Sequence, residues 1–386
     1  MKKDIEALLS LIRCALFGTE PCEEIKSVAK EHAESICKMA MYHDAAHLLA
    51  YAYKKSGIKL EDADVVYKLK WHQAMAIMRY ENLRNEYDAV SALLEKDGID
   101  FIPLKGIKIR ELYPEAWMRT SCDMDILVRE EDVERAVDAI VEKLGYKQGE
   151  RDYHDISLFS PTGEHLELHF SIKENRPGID FLLEKIWEYA FPVAENKHEY
   201  TLENEFLVFH GVSHMSYHFT EGGCGIKSFA DLLFITQNVD YDREKLASML
   251  YDCKIHTFYN AALKLAGVWF GNDKHDDVTL SMQRYLLRGG VYGSKENLVK
   301  VNSANKGKLS YVISRIFMPY EQLIIRYPEI EGKKYLVPFY QAKRWFESLV
   351  SGRMKESSRE LSISKNITES ELEKVSELLK KLELVI

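Results

Sequence analysis

The stretch 122-CDMDILV-128 places two aspartates, one residue apart, at the front of an otherwise apolar run. Because side chains alternate along a β-strand, Asp123 and Asp125 would share one face while the apolar residues point to the other. Carboxylates this close repel each other unless a cation lies between them. Mg²⁺ takes oxygen ligands and keeps its remaining positions for water or substrate phosphates. The stretch therefore predicts a strand with a divalent-metal site, with Mg²⁺ as the favoured ion and Mn²⁺ as its substitute.

A second run, 165-HLELHF-170, offers a third carboxylate. His165, Glu167 and His169 alternate with apolar residues and would share one strand face. If this strand pairs beside the aspartate strand, Glu167 joins the same site. Three carboxylates around two metal ions suit in-line nucleotidyl transfer, in which one carboxylate also accepts a proton. A cupin-like H-x-E-x-H zinc site is the alternative, and it is disfavoured because such sites lie among many more strands.

The surrounding sequence predicts a small mixed core between two helical regions. The β-like runs are 99–105, 123–128, 155–160 and 165–172. An amphipathic helix at 130–146 stops at Gly145, and 161-PTGE-164 is a turn that would make a hairpin of the last two runs. Apolar residues recur at helical spacing elsewhere. We therefore predict an α+β fold in three regions: 1–95, an N-terminal helical region; 96–178, a small mixed-sheet core; 179–386, a C-terminal helical domain.

Composition limits the classes of partner. The 386 residues carry a formal net charge of −9, so a nucleic-acid partner is not favoured and would need a local basic patch. The six cysteines lack regular spacing, which favours a reducing compartment over a disulfide framework. Charged residues interrupt the apolar run at the start, and no stretch is apolar for the roughly 18 residues of a membrane span. We expect a cytoplasmic protein without a membrane partner.

Several of these segments together resemble a known superfamily. They are 104-LKG-106, 119-RTSCDMDILV-128, the helix that ends at 145-GY-146, and 166-LELHF-170. The combination resembles the nucleotidyltransferases of polymerase-β-like fold, and more narrowly the bacterial family of uncharacterised nucleotidyltransferases. In that narrower family, the later segments 231-DL-232 and 317-FMP-319 also have similar counterparts. The resemblance implies a polymerase-β-like core that moves an NMP group from an NTP, such as ATP, to an acceptor hydroxyl and releases pyrophosphate.

One element of the superfamily pattern is missing. The Gly-Ser dipeptide that usually holds the triphosphate is absent, and Gly106 lies seventeen residues before Asp123 without a following serine. Lys105, Gly106 and Lys108 look like its replacement, with Arg119 as a second cation. Alternatively, Lys105 is a surface lysine, and Arg119 pairs with a nearby glutamate, Glu111 or Glu115. The departure also keeps a second function open, a catalytically inactive nucleotide-binding or regulatory module of the same fold, and a weaker third, a metal-dependent phosphohydrolase.

The remaining candidates lie around this core. We expect His169 to brace the site or to contact substrate. His210, His214 and His218 recur at intervals of four on one helix face, which indicates either a face packed against the sheet or a substrate wall shared with Lys227 and Asp231. We include His214 and Lys227 among the substrate-binding candidates.

Two further segments are predicted to have structural roles. We predict that Cys122 is a small core residue. We predict that the polar stretch 289–308, which contains Tyr292 and four lysines, is a solvated flexible loop. The acceptor is not encoded in these residues: a small molecule, a protein side chain or a tRNA end all remain open, as does the oligomeric state.

Overall fold

The computed structural model describes residues 2–290, 293–350 and 354–384. The chain forms two compact units. The first comprises the chain up to Tyr217 together with Gly225–Leu280, and the second comprises His218–Cys224 together with the residues from Ser281 onward. The boundaries predicted from the sequence, near 95 and 178, do not coincide with these units, so the division into three regions stays a prediction.

The elements are predominantly helical on either side of a small sheet. In chain order they are α1 (Lys2–Phe17), α2 (Glu23–Glu31), α3 (Ala33–Tyr42), α4 (Ala46–Lys55), α5 (Ala63–Asp97), β1 (Phe101–Pro103), α6 (Gly106–Ile109), β2 (Asp123–Val128), α7 (Val133–Leu144), β3 (Lys147–Arg151), β4 (Asp155–Phe159), β5 (His165–His169), α8 (Pro177–Leu183), β6 (Ala190–Pro192), β7 (Tyr200–Leu202), α9 (Asn204–Thr220), α10 (Ile226–Asn238), α11 (Arg243–Asp252), α12 (His256–Phe270), α13 (Asp277–Leu286), α14 (Lys295–Lys306), α15 (Lys308–Ile316), α16 (Tyr320–Arg326), α17 (Val337–Val350), α18 (Met354–Asn366) and α19 (Glu369–Lys381).

The central sheet is mixed, as predicted. Its strand order is β1-β2-β5-β4-β3, and only the β2–β5 pair is parallel. β4 and β5 form the expected antiparallel hairpin. β2 pairs directly with β5, and the register places Asp123 opposite His165 and Asp125 opposite Glu167. The aspartate strand and the glutamate strand are therefore neighbours.

The apolar face of the sheet packs on two helices. Four apolar side chains of β2 and β5 are at most 1% exposed: Met124, Ile126, Leu166 and Leu168. They share one core with residues of α5 and α7. Burying a side chain of this size contributes about 1.5–3 kcal/mol. α7 ends where expected, at Gly145, whose φ of 72° is left-handed and suits a residue without a Cβ. Since the apolar face is fixed in this way, the polar face carries the two aspartates and Glu167.

Helices from distant parts of the chain complete the first unit. α1 buries Leu8, Leu11 and Ile12 completely. At its end, Phe17 stacks on Phe234 of α10, with ring centroids 4.7 Å apart and planes 11° apart, and on Phe270 of α12. These contacts hold α10 in place, and α10 matters because two of its polar side chains reach the segment before β2.

The second unit corrects one expectation. The stretch 289–308, predicted as a flexible loop, contains the helix α14, which buries Val299 and Val301. Lys300 is 4% exposed at its side chain and lies 3.0 Å from the carboxylate of Glu371, so it is not a solvated lysine. Thr368 and Glu371 form a capping box at the start of α19. Tyr292 lies outside the described residues.

The cysteines and the helices bear on two further expectations. All six cysteines are free, and four of them are buried. Cys122 is exposed, so its prediction as a core residue is wrong. None of the helices in the described stretches combines the length and apolar character that crossing a membrane requires.

Candidate active site

Three carboxylates meet on the polar face of the sheet. Glu167 contributes a ligand-capable oxygen to two overlapping sets, one with Asp123 and His165 and one with Asp125 and His169. Within each set, the potential ligand atoms all lie within 4.8 Å of one another. The parallel pairing of β2 with β5 produces this convergence, because it puts Glu167 directly beside Asp125. The arrangement offers oxygen donors to a divalent ion from two strands.

The two aspartates differ electrostatically. Burial raises the pKa of Asp123, and the negative charge of Asp125 raises it further, against a hydrogen bond from the Ser121 hydroxyl at 2.9 Å. Burial would also raise the pKa of Asp125, but the hydrogen bond from His169 and the charges of His169 and Lys105 outweigh it and hold that pKa well below its usual range. Asp125 is therefore the carboxylate that stays ionised most readily.

His169 supplies positive charge next to the carboxylates. Its Nε2 lies 3.4 Å from Asp125 Oδ1 and 3.6 Å from Glu167 Oε2. Burial disfavours the imidazolium, but these two acceptors prevail and raise the pKa of His169 to about 9. His169 thus lies where it can brace Asp125 and Glu167, and this role stays a prediction. The other ring nitrogen, Nδ1, is buried and has no hydrogen-bond partner within the described part of the chain.

Lys105 lies beside the carboxylates on a strained backbone. Its φ of 26° and ψ of −88° form a conformation that costs a non-glycine residue about 1–3 kcal/mol. Burial lowers the pKa of its ammonium, and the charges of Asp125, Glu174, Asp123 and Glu167 oppose that shift. Among the described residues, the Lys105 ammonium forms no hydrogen bond or ion pair. A half-buried ammonium that no described residue pairs with remains available to an anionic ligand.

Arg119 is held by a residue far away in the sequence. Its Nε and Nη2 donate to the two carboxylate oxygens of Asp231 at 2.9 and 2.8 Å, and the Tyr113 hydroxyl donates to Asp231 at 2.7 Å. The alternative partners considered for Arg119, Glu111 and Glu115, are not the ones it takes. Asp231 therefore pairs with a residue outside its own helix, although Lys227 lies four residues before it on α10.

Gly106 packs beneath the same guanidinium. A Cβ at Gly106 would lie 3.0 Å from Arg119 Nη1 and 3.4 Å from Ser121 Oγ. Arg119 Nη1, which Asp231 does not use, therefore lies close to the Gly106 backbone. This close approach explains a glycine at this position without invoking a following serine.

Arg110 is a site residue that the sequence reasoning missed. It is 7% exposed, and its Nε donates to the Gly106 carbonyl at 2.8 Å. Its Nη2 is buried and has no hydrogen-bond partner among residues 2–290, 293–350 and 354–384. Burial and the nearby charge of Arg119 lower the pKa of Arg110 to about 10. Two guanidiniums this close favour an anion between them. The four-residue spacing from Gly106 on a helical turn was the signal that could have identified it.

Two other predicted cations are engaged elsewhere. The Lys108 ammonium lies 3.0 Å from Glu199, and the structure records no contact between it and the aspartates. Lys227 of α10 donates to the Thr120 carbonyl at 2.8 Å, and burial together with Arg119 lowers its pKa. Lys227 therefore supports the segment that leads into β2. Their roles in binding substrate stay predictions.

Two histidines of α9 interact with groups near the carboxylates. His214 Nδ1 lies 2.9 Å from Glu174 Oε1. His210 is 3% exposed, and burial together with the charge of Lys105 holds its pKa well below the usual value. His210 and His214 both act electrostatically on groups of the site, whereas His218 belongs to the second unit. The packed helix face and the substrate wall are both compatible with this placement.

The donor set fits a hard divalent ion. Carboxylate oxygens from two strands approach one region, and His169 Nε2 lies beside two of these carboxylates. Oxygen ligands of this kind suit Mg²⁺ or Mn²⁺ better than a softer metal.

The comparisons with known proteins agree with this geometry. Residues 29–271, more than half of the chain, match the family described as uncharacterised nucleotidyltransferase. No curated protein and no solved structure matches the chain. The matched range contains the sheet, α5, α9 and α10, and so every residue of the site described above. The chain belongs to the family of uncharacterised nucleotidyltransferases.

Proposed function

We propose that the protein is a Mg²⁺-dependent nucleotidyltransferase that moves an NMP group from an NTP to an acceptor hydroxyl. The observation that carries the proposal is the register of β2 against β5, which aligns Asp125 with Glu167 and brings three carboxylates to one face. Family membership supports the same class of reaction.

The carboxylates have distinct roles in this proposal. Asp123, Asp125 and Glu167 hold Mg²⁺, which when bound neutralises phosphate charge and favours deprotonation of the acceptor hydroxyl. Ser121 orients Asp123 through its hydrogen bond, and His169 orients Asp125. The side chain of Glu167 is 31% exposed against 19% for Asp125, which suits a group that also accepts the acceptor's proton.

The cations hold the triphosphate. Lys105 offers an ammonium without a protein partner, Arg119 offers Nη1, and Arg110 offers its buried Nη2. Asp231 fixes the orientation of Arg119, while Gly106 leaves room for it. This set replaces the missing Gly-Ser turn with side-chain donors.

The reaction balances as a single displacement. The acceptor oxygen forms a bond to the α-phosphorus, the bond from that phosphorus to the β-bridging oxygen breaks, and pyrophosphate leaves. The hydroxyl proton passes to Glu167. Positioning and charge stabilisation are the protein's main contributions to such a transfer.

The test is transfer of label from α-³²P-labelled ATP, GTP, CTP and UTP in a cell extract, with Mg²⁺, Mn²⁺ or chelator. We expect metal-dependent label on an acceptor and release of pyrophosphate. Asp123→Asn and Asp125→Asn should abolish the transfer, whereas Asp138→Asn, the same change on the exposed face of α7, should not. Transfer that survives in both aspartate variants would refute the proposal.

A second function is favoured by one observation. Arg119 is neutralised by Asp231 and Lys108 by Glu199, so two of the four predicted phosphate contacts are already paired. A catalytically inactive nucleotide-binding or regulatory module would tolerate this. Such a module would bind NTP in calorimetry yet transfer no label, and a phosphohydrolase would release phosphate instead of pyrophosphate.

The acceptor and the location are part of the proposal. We propose a cytoplasmic enzyme whose acceptor is a small molecule, a protein or a tRNA, the last disfavoured by the net charge of −9. Fractionating the labelled extract into metabolites, protein and RNA distinguishes the three.

A further inference from the structure

A second group of metal-ligating side chains adjoins the carboxylates. On β4, Asp155 lies directly opposite His169 of β5, on the polar face of the sheet. His154 precedes it, and its Nε2 is 2.9 Å from Asp155 Oδ2. His154, Asp155 and His169 each offer a ligand atom, and these atoms lie within 4.8 Å of one another. Neither His154 nor Asp155 has a part in the proposed transfer.

The backbone around this group is held by the sheet. The His154 carbonyl accepts hydrogen bonds from the amides of Phe170 and Ser171, at 3.0 and 3.2 Å, and the Asp155 carbonyl accepts one from the amide of Asp152 at 2.9 Å. The rings of His154 and His169 have centroids 5.6 Å apart. Two imidazoles and a carboxylate are therefore positioned by adjacent strands rather than by a free loop.

His169 carries the strongest indication of a ligand. It is 9% exposed, and its Nδ1 is buried and forms no hydrogen bond with any residue that the structure describes. Its Nε2 is already directed to Asp125 and Glu167, so Nδ1 is the nitrogen that remains for Asp155 and His154. A buried ring nitrogen without a partner is costly unless something binds it.

We propose that His154, Asp155 and His169 form a binding site for a transition-metal ion of the Zn²⁺ class, distinct from the magnesium site and joined to it by the His169 ring. Two imidazoles and one carboxylate suit such ions, whereas Mg²⁺ prefers oxygen ligands alone. A histidine that binds metal through one nitrogen usually donates its other N–H to a carboxylate. Asp125 lies in that outer position, at 3.4 Å from His169 Nε2.

Metal binding by His154, Asp155 and His169 does not require nucleotidyl transfer, so the test measures metal binding alone. The full-length protein, freed of metal and then supplied with excess Mg²⁺ to fill oxygen-only sites, is titrated with Co²⁺ as a spectroscopic substitute for Zn²⁺. We expect one equivalent of Co²⁺ to produce visible absorption bands that Zn²⁺ displaces. His154→Ala and Asp155→Asn should each weaken Co²⁺ binding by more than about 100-fold, beyond the 10–100-fold typical of losing an outer partner.

Two control variants locate the ion. His198→Ala removes another histidine that pairs with an aspartate at 2.9 Å. The described residues place no third metal ligand beside that pair, so Co²⁺ binding should not change. Asp123→Asn should also leave the absorption bands in place. Absence of stoichiometric binding in the unaltered protein would overturn the proposal. So would bands that persist in both His154→Ala and Asp155→Asn but vanish in Glu167→Gln, because the ion would then lie among the carboxylates.

Discussion

Replacing Asp231 with alanine should destabilise the first unit far more than losing an ordinary ion pair. Asp231 accepts two hydrogen bonds from Arg119 and one from Tyr113, all between 2.7 and 2.9 Å. The side chains of Arg119 and Asp231 are only 8% and 13% exposed. The substitution would leave a buried guanidinium, which cannot lose its proton, and a buried hydroxyl without their acceptor.

The magnitude follows from burial. Removing one partner of a buried pair costs about 3–5 kcal/mol, because the remaining charge stays desolvated. Lys143→Ala breaks a pair of comparable length, 2.6 Å from Asp97, but Lys143 is 49% exposed. A surface pair of this kind contributes about 0.2–1 kcal/mol. The two variants therefore differ in burial rather than in distance.

Urea unfolding followed by tryptophan fluorescence measures both effects, since four of the five tryptophans lie in the first unit. Arg119→Met and the double variant complete a cycle with Asp231→Ala. We expect the double variant to be less destabilised than the sum of the single ones, with a coupling of about 2–3 kcal/mol. A cost below about 1 kcal/mol for Asp231→Ala, or strict additivity, would show that the pair does not act as a buried unit.

Three further outcomes are expected. Hydrogen bonds from Ser35 and His32 lower the pKa of Asp4 from 3.8 to about 2. Asp4 therefore stabilises the folded state above pH 3.8, and this contribution is lost as the pH falls through about 2. Asp4→Asn should remove about 1–2 kcal/mol at pH 6 and little at pH 2, measured by denaturation at both pH values. Leu168→Ala, at a fully buried core position, should cost about 2–5 kcal/mol in the same assay, and a cost below that range would contradict the packing. Lys105→Met should weaken NTP binding about 10-fold or more in calorimetry, because a hydrogen bond to a charged group is lost. Thermal stability should not fall. An unchanged affinity would show that Lys105 does not bind phosphate.

The sequence predicted the elements whose residues alternate strongly. The period of two in 123–128 and 165–169 identified both strands and their polar faces, and the period of 3.6 with Gly145 identified α7. β3 was missed because all its residues, 147–151, are exposed and polar, so no apolar alternation marks it. It exists because it pairs with β4.

Other differences come from contacts between distant residues. α14 looks like a loop because few of its residues are apolar, but Lys300 is buried by an ion pair with Glu371, some seventy residues later. The break between α3 and α4 has no glycine or proline; it occurs at Asp44, whose φ of 51° is left-handed and whose carboxylate accepts a hydrogen bond from Thr120. The partner of Arg119 lies 112 residues away. No local pattern encodes such pairs.

The parallel pairing of β2 with β5 also constrains the order of assembly. Asp125 and Glu167 are cross-strand partners although α7, β3 and β4 lie between them in the chain. Hairpin contacts form quickly. Two strands separated by a long segment pair slowly, because the chain must lose loop-closure entropy before the pairing contacts can form. On the ribosome, β2 can pair with β1, but its other edge stays unpaired until β5 has emerged. The acidic centre is assembled late, after the local hairpin that carries one of its members.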